Sequence, residues 1–163
     1  MIKKTFLMLF TLILLSNNSY SAGSSSDSSS KVTSDYDNAV KLIKAAKKLE
    51  KKGKKEKANK RYMKAQALLI KSNKKKPNQA DTLNYLGFTT RKLGDFERGE
   101  KYYLLGLDID PNHIGINEYL GELYVVTNRI NLAKERLKVL ESCNCEEYTD
   151  LKEIIAGTKK SKY

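Results

Sequence analysis

The sequence predicts an all-α fold of stacked helical hairpins, and three observations carry that prediction. From Ala80 onward the chain repeats itself every 34 residues: Leu86-Gly87 recurs as Leu120-Gly121, Thr90 as Tyr124 and Gly99 as Ala133. Between these landmarks, apolar residues fall at the i, i+3, i+4, i+7 spacing of one helix face. Turn residues punctuate the helices at matching places: Gly53, Gly94-Asp95 and Asn128 inside the units, Pro77 and Pro111 at their ends. A helix-turn-helix unit of this length cannot bury its apolar face alone, so it stacks on its neighbours and presents a surface to a partner. That points to binding rather than chemistry.

The first 21 residues read as a secretory signal peptide. Lys3 and Lys4 form a positive start, Thr5 to Leu15 is an uncharged and mostly apolar run, and Ser19-Tyr20-Ser21 supplies small residues for cleavage before Ala22. A run of eleven residues, at about 1.5 Å per residue, is too short to cross a hydrocarbon core of roughly 30 Å. No cysteine follows it to carry a lipid anchor, so the mature protein is expected to be exported without a transmembrane segment. Residues 22–34 are Ser-rich and lack apolar periodicity, the composition of a flexible linker.

The helical domain is expected over residues 35–157. Ser34 and Asp37 have the form of a capping box, so a helix should begin there, bury Ala39, Leu42, Ile43, Ala46 and Leu49, and stop at Gly53. A second helix, roughly 55–74, places Ala58, Tyr62, Ala65, Leu68 and Leu69 inward before Pro77 forbids continuation. The next unit, 80–113, turns at Gly94 with Asp95 placed to cap its second helix, and buries Tyr103, Gly106 and Leu107. The third, 114–147, repeats this with Ala133, Leu137 and Leu140 on its second helix. A last helix, about 147–156, should cover the exposed end of the array, with residues 158–163 as a tail. The first unit, about 39–79, enters the register once seven residues are allowed for. Ala46, Gly53, Ala58, Tyr62 and Ala65 each lie 41 residues before Gly87, Gly94, Gly99, Tyr103 and Gly106, so the second helix of that unit is lengthened by two turns.

These residues resemble the tetratricopeptide repeat (TPR) family. Its pattern asks for Leu-Gly, an aromatic, a small residue after the turn, an aromatic, another small residue and a proline. The unit from Ala80 supplies Leu86-Gly87, Gly99, Tyr103, Gly106 and Pro111, and departs by Thr90; the third supplies Leu120-Gly121, Tyr124 and Ala133, and departs by Leu137, Leu140 and Cys145. The resemblance implies a right-handed superhelical array of three TPR hairpins plus a C-terminal capping helix, in a small exported bacterial member. It further implies a partner groove on the first helix of each hairpin. By register the groove holds Ile43, Lys47 and Lys51 from the first unit, Asn84, Phe88, Arg91 and Lys92 from the second, and Glu118, Glu122 and Val125 from the third. Phe88 follows the packing glycine Gly87, so it is expected to point into the groove.

Charge is concentrated in one segment. The chain carries a net +12, yet residues 41–76 hold sixteen Lys or Arg against Glu50 and Glu56, whereas residues 77–163 are slightly acidic. Lys41, Lys44, Lys48, Lys52 and Lys55 recur at helical spacing and are expected to form a basic patch for an anionic membrane or envelope polymer. Nucleic acid is disfavoured: the segment has only Arg61 beside its lysines and lacks interleaved exposed aromatics.

Cys143 and Cys145 are the only cysteines, and their reading stays open between a local disulfide and free or intermolecular thiols; metal binding is disfavoured by the Cys-x-Cys spacing and the lone His113. No P-loop, nucleophile elbow, zinc-binding helix or paired catalytic signature occurs, so no catalytic residue and no cofactor are expected. The expected function is a non-enzymatic adaptor in the bacterial periplasm that binds a partner peptide or helix in its groove. The alternative is a structural tether held by the Lys-rich hairpin.

Overall fold

Ser34 opens the array. Its hydroxyl accepts a hydrogen bond from the Asp37 amide at 3.0 Å, and the Asp37 carboxylate accepts one from the Ser34 N–H at 3.3 Å. This reciprocal pair satisfies two amides that the first helical turn leaves without carbonyls. The computed structural model describes residues 34–161; the expected signal peptide, the Ser-rich linker up to residue 33 and the last two residues of the tail lie outside the described residues.

Seven helices follow in order: α1 (Asp35–Lys51), α2 (Lys55–Lys75), α3 (Ala80–Lys92), α4 (Phe96–Ile109), α5 (Ile114–Val126), α6 (Ile130–Leu140) and α7 (Glu146–Ile155). No strand occurs among the described residues, and the fold is an all-α helical repeat. Helices α1–α2, α3–α4 and α5–α6 pair as hairpins, and each hairpin turns at the same register position with positive φ: Gly53 at 71°, Gly94 at 97° and Asn128 at 59°. Glycine adopts this left-handed conformation freely and asparagine tolerates it, which explains the exchange in the third unit. Helix α2 has 21 residues against 14 in α4, the seven-residue excess that the sequence register requires. Helix α7 runs one residue earlier than expected because extended Cys145 serves as its N-cap.

Small residues set how closely the helices approach. A Cβ on Gly87 would stand 2.5 Å from Cε1 of Tyr103, so the tyrosine ring lies directly on the α3 backbone. Gly106 of α4 receives the Ile116 side chain of α5 in the same manner. In the last hairpin the register changes partner. Leu137 stands where Tyr103 does, but it is only half-buried, and Leu151 of α7 fills the space beside Gly121 instead. The expected inner role of Leu137 is thus corrected: without an aromatic on α6, the terminal helix supplies the missing bulk.

Gly87→Leu should therefore cost about 3 kcal/mol or abolish the helical CD signal, since Tyr103 cannot retreat from a packed core. Gly94→Ala, where nothing lies within 4 Å, should cost only about 1 kcal/mol, through its φ of 97°. Thermal melts of both variants give the comparison.

Candidate partner groove

The first helices of the hairpins contact in sequence, α1 with α3 and α3 with α5. Register places Lys47, Phe88 and Glu122 at one equivalent position, and Ile43, Asn84 and Glu118 at another. Most of these side chains face one another rather than a partner. The Phe88 ring is 1% exposed, edge-on to Tyr62 at 5.8 Å and tilted against Tyr119 at 5.1 Å. The Lys47 ammonium sits 4.4 Å above that ring and donates to the Tyr119 hydroxyl at 3.0 Å. The expectation that Phe88 stands free in the groove is corrected: Tyr119 reaches from α5 across α3 to α1 and covers it.

Arg91 is buried more completely still. Its Nη1 donates to the Tyr119 carbonyl at 2.5 Å, its Nη2 lies 3.6 Å from the Glu122 carboxylate, and both side chains are fully enclosed. Glu122 also accepts from the Ser161 hydroxyl at 3.0 Å, which brings the C-terminal segment onto α5. Asn84 and Glu118 are buried too. Of the ten groove residues expected from sequence, Ile43, Asn84, Phe88, Arg91, Glu118 and Glu122 are therefore buried in the interior. The Phe88 ring packs against the Tyr62 and Tyr119 rings, and the charges of Arg91 and Glu122, once enclosed, must face one another because an unmatched buried charge is costly.

What stays open is the end of the groove between α1 and α3. A cavity of about 290 Å³ is lined there by Lys47, Glu50, Lys51, Phe88 and Lys92. Lys51 is exposed and Lys47 half-buried, while Lys92 pairs with Glu50 at 2.7 Å. The other oxygen of Glu50 accepts the Tyr62 hydroxyl at 2.8 Å. Burial, reinforced by this bond to Glu50, holds the Tyr62 phenol well above its ordinary range, and burial does the same to Tyr103 and Tyr119. Sequence reasoning missed Glu50 and Tyr119. Both were readable from the register: Glu50 lies 41 residues before Arg91, and Tyr119 lies 34 after Tyr85.

The positive-φ turn and the small residue recur through the three hairpins in one register, and in the last of them Leu151 of α7 fills the space that a ring fills in the second. Among the described residues the chain is an all-α helical repeat array. No protein-family profile matches it. A stretch of 72 residues, 42% of the chain, is 38% identical to the Sol locus transcriptional repressor of Clostridium acetobutylicum, of which it spans 23%. Among solved structures it is similar to the first TPR of Spaghetti (RPAP3) bound to HSP90 peptide SRMEEVD, with 20% identity, 80% of this chain and 99% of that one covered, and a TM-score of 0.49. It is also similar to the first TPR domain of human RPAP3, with 20% identity over 77% of this chain and 94% of that one, and a TM-score of 0.48.

The remaining sequence candidates are placed as follows. Lys41, Lys44, Lys48, Lys52 and Lys55 are all exposed on α1, its turn and the start of α2. Cys143 and Cys145 form a disulfide with Cα atoms 5.2 Å apart, across the junction of α6 and α7. His113 caps α5, its Nδ1 accepting from the Ile116 amide at 3.1 Å and its Nε2 facing Asp81 at 3.2 Å. These roles suit the neutral Nε2–H tautomer and give the imidazole a structural task. Among the described residues no cluster of ligating side chains could hold a metal, and no helix is long and apolar enough to cross a membrane.

Two outcomes follow. Glu122→Ala should destabilise the array by roughly 3–5 kcal/mol, because it leaves the Arg91 charge enclosed without the Glu122 carboxylate; Arg91→Met with Glu122→Leu should cost less than the two single changes together, as denaturant melts would show. In alkali, phenols whose folded pKa exceeds the unfolded value of about 10 keep their stabilising effect below that pH and lose it as the pH rises above it. Tyrosinate absorbance from Tyr62, Tyr103 and Tyr119 should thus appear only together with loss of helical CD.

Proposed function

We propose that this chain is a non-enzymatic protein-interaction module, exported to the bacterial periplasm, that holds an acidic peptide at the α1–α3 end of its groove. The cavity itself carries the reading: an aromatic floor beneath three ammonium groups, with Glu50 as the one opposing charge. A carboxylate entering there meets Lys47 and Lys51 and competes with Glu50 for Lys92, while the apolar part of its side chain lies on Phe88. About 290 Å³ accommodates one or two side chains, so affinity depends on the remainder of the peptide lying along α1 and α3. The expected signal peptide supports the periplasmic setting.

Labelled peptides bearing a central Glu, or Gln in its place, separate this from nonspecific attraction. The Glu peptide should bind more tightly, and Lys51→Ala and Lys92→Ala should each weaken it about threefold. Equal affinity of both peptides for all proteins would contradict the proposal. Cell fractionation with N-terminal sequencing, giving a mature chain that begins at Ala22, checks the export.

The exposed lysines at positions 41, 44, 48, 52 and 55 favour a second reading, a tether to anionic membrane or envelope polymer. Such attachment should weaken steeply between low and high salt, because charges in water are screened within about 10 Å at 0.1 M.

A further inference from the structure

Hairpin stacking leaves the two ends of the array unequal. At the C-terminal end α7 covers the last hairpin, with Leu151 seated on Gly121. At the N-terminal end, α1 and α2 form a groove of about 500 Å³ whose floor is Leu42 and Leu49 and whose rim includes Lys54, Lys57, Arg61 and Lys64; among the described residues every charged side chain lining it is cationic. The array shows what occupies this groove elsewhere. Leu83 and Thr90, which lie 41 residues after the two leucines, are buried under α2, whose Gln66 donates to Thr90 at 2.7 Å. One repeat later, Asn117 and Tyr124 are buried where α4 packs on α5. In both places the cover is a helix.

We infer that the α1–α2 groove is a second binding site, one that takes an acidic amphipathic helix from a partner protein as though it were the preceding helix of the array. Repeat geometry specifies the helix, and charge complementarity specifies its acid. Residues ahead of Ser34 do not meet the second requirement, since Asp27 is their one acid against Lys3, Lys4 and Lys31. A second copy does not offer its acidic helix α7 either, because Leu151 and Ile154 of that helix are already buried in their own array. Helix capture on this face is independent of peptide binding between α1 and α3, so the two fail separately.

The probe is a fluorescein-labelled helical peptide of about 18 residues, with leucines at i, i+3, i+4 and i+7 and glutamates elsewhere, titrated against the full chain. Saturable binding is expected, weakened about tenfold by Lys57→Glu with Arg61→Glu and Lys64→Glu, and about tenfold by shuffling the peptide to break its leucine stripe. These three side chains are exposed, so the variant should keep the parent's CD spectrum and melting temperature and still bind the central-Glu peptide. The inference is overturned if the charge-reversed protein or the shuffled peptide binds equally well. It is also overturned if the chain pellets with phosphatidylglycerol vesicles and shows no saturable peptide binding, which would make this face a membrane contact.

Discussion

The guanidinium of Arg91 lies where α3, α4 and α5 meet, and the packing of these helices is organised around it. Its stem packs on Gly99 of α4, its plane lies within 6 Å of the Tyr103 and Tyr119 ring centres, and its nitrogens reach the backbone and carboxylate of α5. A charge enclosed to this degree must be matched on the spot, since leaving it unmatched costs several kcal/mol. Glu122 supplies the match, and the Tyr119 carbonyl fixes the angle between the second and third hairpins. The surface that a partner would use between α3 and α5 is thereby spent on holding those helices together.

Between α1 and α3 the constraint is looser. Glu50 occupies the register position of Arg91 one unit earlier, and with Lys92 and the Tyr62 hydroxyl it forms a network that reaches solvent only at Glu50, which is 28% exposed. Lys51 reaches solvent, and beside the Tyr119 ring the Phe88 ring is capped by the ammonium of Lys47. The difference between the two ends of the groove is therefore one of solvation. The exposed ammonium of Lys51 keeps its water until a carboxylate arrives, whereas the Arg91–Glu122 pair is fully enclosed.

Fold was legible in the sequence to the level of helix order, turn positions and the lengthened α2, because these depend on local rules: a capping box at Ser34, left-handed turns at Gly53, Gly94 and Asn128, and a proline stop. Gly87 and Gly106 were legible as close approaches for the same reason. The partner of Gly121 was not, since Leu151 comes from a helix outside the repeat and Leu137 lies in the expected register. Groove residues were legible by position and misread by exposure. Phe88 does leave the packing face of Gly87, but whether it meets solvent depends on Tyr119, a side chain 31 residues away whose position the register gives but whose reach onto Phe88 it does not. Lys47, Lys51 and Lys92, placed on this face by register, line the open end together with Glu50, whose charge was hidden among the basic residues of its segment.

Amide hydrogen exchange of the full chain, with and without saturating central-Glu peptide, tests the division of the groove most directly. The account predicts slower exchange at the C-terminal ends of α1 and α3, around residues 47–52 and 88–93, and unchanged exchange across 117–124 in α5. Protection centred on α5, with the ends of α1 and α3 unaffected, would contradict it.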